Sequence, residues 1–590
     1  MHKERIKALV NVALGRDTAD LVIKNANLVN TYSGELLEGY SIAIKGEKIA
    51  FVGKNGNHTI GSETKVIDAE GKVVIPGFID AHTHLDIPIV HPNEYLRYSI
   101  LSGTTTVVTE TLEIANVLGY EGVLNLLDAL KEQPIKFFAT VPSLVPTLPA
   151  LEEGTPISPE EVDSLLKLDR IVGLGETPWL PIIDENEEVL AILSRGHEVK
   201  KRLEGHGAGA KGNKLVAFAA AGISSCHESI TMEEAVDRLR LGMYVMVREG
   251  SVRRDLEAIS SIRGKISDFR RLILVSDGLN PEDLLNYGHM SYIVQKAIDL
   301  GFEPIKAIQM ATINPAEYFS LDGICGGIAP GRDADILIIP DLRTIRCQLV
   351  IAKGQIAAQN GELLLEPRKD RPPAVALKSV RLPKRFTAAD FNVPVRNTKV
   401  EVEVRVVNLV SEVITRELIA KLPVANGSIQ ADPKQDIVKV AVIDRHHGTG
   451  RSFTGFVKGF GMKSGAFASS YSWEARSPIV VIGANEDDMA CAVNRIAELS
   501  GGIIVCAGGK ILAELPLPIG GLLATCSVEE AAERLYQIRQ SLKNLGCSLS
   551  NPYLSIQTLS GTFLPYFRIT QEGLVNSKEK RIVALITGGG

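Results

Sequence analysis

Eleven histidines occur in the 590 residues, and two of them, His82 and His84, close the apolar run VVIPGFIDAHTH. On a strand, residues i and i+2 point to the same side. Two imidazoles at that spacing can therefore share one metal ion. Four more polar residues end apolar runs in the same way. Glu176 ends RIVGLGE, His206 lies in LEGHGAG, His227 follows AGISSC, and Asp277 ends RLILVSD. Imidazole and carboxylate are the donors that suit divalent first-row metals. A glutamate such as Glu176 can bridge two cations, and a paired centre activates water at neutral pH. Asp277 suits a metal ligand that doubles as a general base. Each residue alone has a plainer explanation: a structural histidine, a rim glutamate facing an arginine, an aspartate capping the next helix. The recurrence at the ends of apolar runs favours one metal centre.

Other motifs carry less. Gly207-Ala-Gly209-Ala-Lys-Gly212 fits G-x-G-x-x-G, but it follows a histidine-bearing strand rather than opening a nucleotide-binding unit. Cys226 adjoins His227 but has no dedicated base, so it is expected to pack behind the site. His446-His447 lies at an expected strand end far along the chain and reads as structural or oligomeric. The H-x-E…P-C-x-x-C pattern of the other nucleobase deaminase class is absent.

The elements that must position these groups alternate between strand and helix from 77 to 320. Eight strand-like runs can be counted: GFIDAHTH, TTTVVTE, KFFATVPS, RIVGLGE, LEGHGAG, AGISSCHE, MYVMVREG and RLILVSD. Amphipathic stretches such as EGVLNLLDALKEQ and MEEAVDRLRLG separate most of them. Eight such units in about 245 residues predict an α/β (β/α)8 barrel, whose chemistry sits at the C-terminal ends of its strands. Residues 1–18 read as a helix. Short β-type runs within 1–76 and again within 321–365 predict one discontinuous β-sheet domain. A Pro-, Lys- and Arg-rich stretch at 366–394 reads as a linker, and 395–590 as a C-terminal α+β domain.

Composition narrows the partners. Net charge is −6 with no long basic block, and aromatics are 5 %, which argues against nucleic acid and anionic membranes. No apolar run approaches the ~18 residues of a spanning helix, and the start MHKERIKALVNVALG carries no signal-peptide pattern. Seven cysteines without a Cys-x-x-Cys pair read as reduced thiols in the cytoplasm.

PGFIDAHTH and GGIAPGRDADILII resemble the opening and closing signatures of the amidohydrolase superfamily. More specifically, SGTTTVV, EIANVLG, FFATVPSLVP, IVGLGE, AAGISSCHES, GMYVMVREGS, GFVKGFGMKSGAFASS and VVIGANEDDMACAVNRI resemble the prokaryotic adenine deaminases. With further matches, the likeness runs from about residue 20 to 575. It implies hydrolysis of adenine to hypoxanthine and ammonia in purine salvage. It implies one or two divalent ions per chain, manganese first, with iron and zinc as alternates, and a homo-oligomer. His82, His84, Glu176, His206, His227 and Asp277 fall on the family's metal-site positions. Attack at C6 by metal-activated hydroxide follows, with Asp277 as base and Glu228 expected to protonate a ring nitrogen. The chain departs from the pattern at several places. Leu85-Asp86-Ile87 stands for Ile-Glu-Ser, and Leu112 for a histidine. Gly278 stands for a second acid, TPWLPII for a Met-rich segment, and Trp473-Glu474-Ala475-Arg476 for a His-Asp-x-His-type cluster. Leu112, Trp179 and Gly278 are accordingly expected to line a changed substrate pocket, with Trp179 stacking on a flat ring. Another aminopurine or a cyclic amide is the alternative substrate, and a non-catalytic barrel the minor alternative.

Overall fold

The computed structural model describes residues 3–145, 157–395, 400–472, 477–562, 564 and 566–587. The Trp473–Arg476 departure lies outside them. All eight expected barrel strands form: Phe78–His84, Thr104–Glu110, Lys136–Pro142, Ile171–Pro178, Arg202–His206, Ser225–Cys226, Tyr244–Arg248 and Leu272–Val275. They pair in chain order, each parallel to the next. Between the last and the first strand, Asp277 N–H donates to His82 O at 3.0 Å, beside other contacts.

A buried polar network fastens that seam. Asp80 on the first strand accepts from Ser276 N at 3.1 Å and from Ser276 Oγ at 2.5 Å, both after the eighth strand. His289 Nε2 lies 2.8 Å from Asp80 Oδ2, and Tyr95 and Thr104 hold the same ring at 2.8 and 2.9 Å. Every member is buried, so partners are obligatory rather than optional. The outward strand residues Phe78, Val107, Val245, Leu272 and Leu274 pack on helices bearing Tyr95, Ile100, Ile293 and Val294. That apolar layer is the main source of barrel stability.

The strands before and after the barrel join one nine-stranded sheet. Val73–Pro76 pairs antiparallel with Ile336–Ile339, so chain that leads into the barrel meets chain that leaves it. The stretch 366–394 is held along its length: Arg368 N donates to Gln133 Oε1 at 2.8 Å, and Phe386 and Phe391 are buried beside the helix Glu486–Leu499. Beyond it a second nine-stranded sheet, from Glu401 to Pro516, carries that helix and the longer one at Val528–Asn544.

This C-terminal part docks on the mouth of the barrel. Ala524 N donates to Ile89 O at 2.7 Å, and His91 N to Ala524 O at 3.1 Å. Arg539 makes a two-pronged ion pair with Glu282, one bond at 2.6 Å. Tyr471 donates its hydroxyl to Asp86, two residues past His84.

Candidate metal centre

Two irregularities in the barrel aim the ligands. Asp80 pairs with Val107 and Thr83 with Thr109, so the first strand has one residue more than its neighbour between those points. Leu203 pairs with Leu174 and Gly205 with Thr177, so the fourth strand has one extra residue around Glu176. Such bulges re-aim side chains and gather near active sites. Asp277 itself has φ +53°, a left-handed conformation that aspartate tolerates better than most residues. Gly175 leaves room on the same side: a Cβ there would lie 2.0 Å from Glu110 Oε2.

The six expected ligands converge. Glu176 Oε1 lies 3.4 Å from His82 Nε2, 3.4 Å from His84 Nε2, 3.2 Å from His227 Nε2 and 3.9 Å from His206 Nδ1. Asp277 Oδ1 lies 3.3 Å from His82 Nε2 and 3.6 Å from His84 Nε2. One carboxylate oxygen thus faces four imidazole nitrogens. His82 Nε2, His84 Nε2, Glu176 Oε2 and Asp277 Oδ1 are buried and have no hydrogen-bond partner. Buried polar atoms left so in a native protein call for an ion or a water. The donor set and the orphaned atoms together fit one or two divalent cations.

A second tier of carboxylates lies behind the histidines, and the sequence reading missed it. His82 Nδ1 faces Glu204 Oε2 at 3.4 Å and Glu110 Oε1 at 3.5 Å, and His84 Nδ1 faces Glu113 Oε2 at 3.6 Å. Carboxylates on the far nitrogen fix tautomer and ring orientation in metal-binding histidines. Glu204 was open to detection, since it precedes His206 by two on one strand; Glu110 ends a strand, as Glu176 does.

The charges respond to one another. Burial alone would drive protons off His82 and His84, but the facing Asp277 and Glu176 carboxylates outweigh it and hold both pKa values well above the usual imidazole value. Burial alone would raise Glu176 and Asp277; their histidine neighbours outweigh it and hold both well below the carboxylate range. Glu110, by burial first and then by Glu176, is pushed up to about 8. Asp86, by burial first and then by Glu113, is pushed up to about 7.

Glu228 lies between Arg248 and His227. Its carboxylate pairs with the buried Arg248 and lies 3.3 Å from His227 Nε2. Burial favours its neutral form, yet Arg248 and the histidines outweigh burial and hold it low. An ionised carboxylate can take up a proton and pass it on.

The expected pocket residues scatter. Leu112 is packed among Leu127, Ala139, Val141 and Leu144, in the apolar core. Trp179 opens a short helix after the fourth strand; its Nε1 donates to Ala208 O at 2.8 Å and Lys214 stands 5.1 Å from its ring centre. Gly278 has φ +92°, and a Cβ there would lie 2.3 Å from Ile87 Cδ1. Backbone conformation and the closeness of Ile87 account for glycine at this position. Cys226 is fully buried beside Leu203 and Phe218.

An eight-stranded barrel with this cluster at its strand ends defines an amidohydrolase. Consistent with that, residues 73–364 match the amidohydrolase family, and residues 412–581 match the adenine deaminase C-terminal domain. The chain is 41 % identical to an adenine deaminase of Moorella thermoacetica, over 99 % of this chain and 98 % of that protein. It is 38 % identical to one of Clostridium botulinum strain Loch Maree, over 98 % and 97 %. The chain belongs to the adenine deaminase family. Among solved structures, a β-aspartyl dipeptidase of Fervidobacterium islandicum AW-1 aligns at TM-score 0.46 and 19 % identity, over 58 % of this chain and 97 % of that one.

Proposed function

We propose that this chain hydrolyses adenine to hypoxanthine and ammonia. The observation that carries the reading is the Glu176 carboxylate oxygen within 3.9 Å of four histidine nitrogens, with Asp277 beside it. The full-length likeness to proteins named adenine deaminase supports the choice of ring. His82, His84, Glu176, His206, His227 and Asp277 would hold one or two divalent ions. Such ions supply Lewis acidity and make water a nucleophile at neutral pH.

The chain's own groups do the rest. Asp277, held ionised, takes the proton of the attacking water and returns it to the departing C6 amino group. Arg248 steadies that carboxylate from behind, its Nη1 3.5 Å from Asp277 Oδ2. Glu228, fixed by the same arginine, relays the other proton of that water to a ring nitrogen as the C6 adduct develops, so that one water proton ends on the ring and one on the ammonia. Glu113, Glu110 and Glu204 orient the two first-strand imidazoles.

Manganese is the proposed ion, with iron and zinc as the alternates. A homo-oligomer acting in purine salvage in the cytoplasm completes the proposal. The seven free cysteines suit a reducing compartment. Among the described residues, no helix is long and apolar enough to cross a membrane. The test is ammonia release from adenine, 2,6-diaminopurine, guanine, cytosine and cyclic amides, with manganese added. Adenine is expected to turn over fastest. Clear turnover of another ring with none of adenine would overturn the proposal.

A further inference from the structure

A cavity of about 340 Å³ lies between the barrel mouth and the C-terminal part of the chain. On the barrel side it is walled by Ile87, Ser251 and Asn280. These stand three residues beyond His84, Arg248 and Asp277 respectively, on the loops that leave the first, seventh and eighth strands. The cavity therefore sits one step outward from the metal centre. A chain of contacts joins the two: Tyr471, which lines the cavity, bonds Asp86, whose carboxylate clusters with His84 and Glu113.

The opposite wall is the helix Pro552–Thr558. Tyr553 and Gln557 are four apart on it and so share a face. The Tyr553 hydroxyl is buried and turned toward Gln557, one turn further on. Gln557 is only 6 % exposed and lines the same space. The rings of Tyr471 and Tyr553 are 6.4 Å apart at 50°. Two aromatic faces, an amide and a buried hydroxyl suit a small, flat, uncharged heterocycle. The volume is at the low end for ligand pockets, which run from about 300 to 1,000 Å³.

We infer that this cavity is the purine-binding chamber and that Gln557 and Tyr553 of the C-terminal part select the free base. The inference rests on the proposed deamination of adenine. If C6 faces Asp277, the far edge of the ring faces the helix. In the free base that edge offers the N3 acceptor beside the N9 donor. A glutamine amide pairs with such an acceptor–donor edge through two hydrogen bonds, as it does with the N6/N7 edge of adenine in DNA. A 9-substituted purine loses the donor and adds bulk against the helix. Thus the C-terminal part is a component of the active site rather than an appended module.

The test compares adenine with 9-methyladenine on the manganese-loaded full chain. Gln557→Met removes the amide with little change of shape, and Tyr553→Phe removes only the hydroxyl. Each is expected to lower kcat/KM for adenine by roughly 5- to 150-fold, the usual value of such a contact. Gln557→Met should in addition shrink the preference for adenine over 9-methyladenine, with ion content unchanged. Leu554→Trp, at a half-buried lining position, narrows the space without touching either polar group and should raise KM for adenine. It keeps the question open to refutation should a polar variant fail to fold. A wild-type enzyme that deaminates adenine, with folded variants that keep its KM and its discrimination, overturns the chamber. A wild-type enzyme inactive on adenine overturns the underlying proposal, and the chamber with it.

Discussion

Glu113→Gln isolates the tier of carboxylates behind the metal centre. Glu113 is 2 % exposed, neither of its oxygens has a hydrogen-bond partner, and His84 Nδ1 is 3.6 Å away. The side chain is thus a buried carboxylate facing a histidine of the proposed metal site. Two separate losses follow in the variant. Losing the carboxylate frees the His84 ring and weakens its Nε2 as a donor, which for such partners costs about 10- to 100-fold in metal affinity. At about 1.4 kcal/mol per tenfold, that is about 1.4–2.8 kcal/mol. In the metal-free fold, where the facing carboxylates keep His84 protonated, the variant also takes a buried carboxylate away from that imidazolium, which is destabilising. The variant should therefore bind manganese about 10- to 100-fold more weakly, and its metal-free form should melt below the wild type. Competition titration against a chelator, with melting curves in both states, reads the two effects separately. Unchanged affinity together with a less stable metal-free form would show Glu113 to be a packing residue and refute the reasoning.

Asp277→Asn should lower turnover about 10²- to 10⁴-fold with the fold intact; a variant that keeps more than about a tenth of the activity would remove Asp277 as the base. Gly278→Ala places a Cβ 2.3 Å from Ile87 Cδ1 at φ +92°. It should cost about 1–2 kcal/mol of stability, measured by denaturant unfolding, and an unchanged midpoint contradicts the steric account. Metal uptake should release protons. In the metal-free protein His82 and His84 have pKa values raised well above 6.5, burial being outweighed by the facing carboxylates. They are thus protonated at pH 7, and an ion must displace those protons. Affinity should rise with pH through neutrality and fall in acid, and calorimetry in two buffers of different ionisation enthalpy should count about two protons. A count of zero would contradict the charge state.

The barrel was legible because its strands are short apolar runs that end in polar residues. GFIDAHTH and RLILVSD announce both the strands and the ligands at their ends. The two bulges were not legible. Nothing in the spacing of Asp80, His82 and Glu176 reveals an extra residue in the pairing, since register depends on the neighbouring strand. Glu113 was hidden for another reason: it begins a helix, and its approach to His84 is set by tertiary packing. The packing around Leu112 and Gly278 was not legible from their departure from a family pattern: one sits in an apolar core, the other at a positive φ against Ile87. The surroundings of Glu228 were not legible either: Arg248, 20 positions further along the chain, lies against it. Only the fold brings a seventh-strand arginine to a sixth-strand glutamate.

The central claim is hydrolysis of adenine at this cluster. Chelator-stripped protein, reloaded with a known amount of manganese, should be given adenine in ¹⁸O-labelled water. The account predicts hypoxanthine carrying the label at its C6 oxygen, ammonia in equal amount, and a rate that follows the bound ion up to the loading of one or two per chain. Full activity in the stripped protein, or no hypoxanthine from the reloaded one, would contradict it.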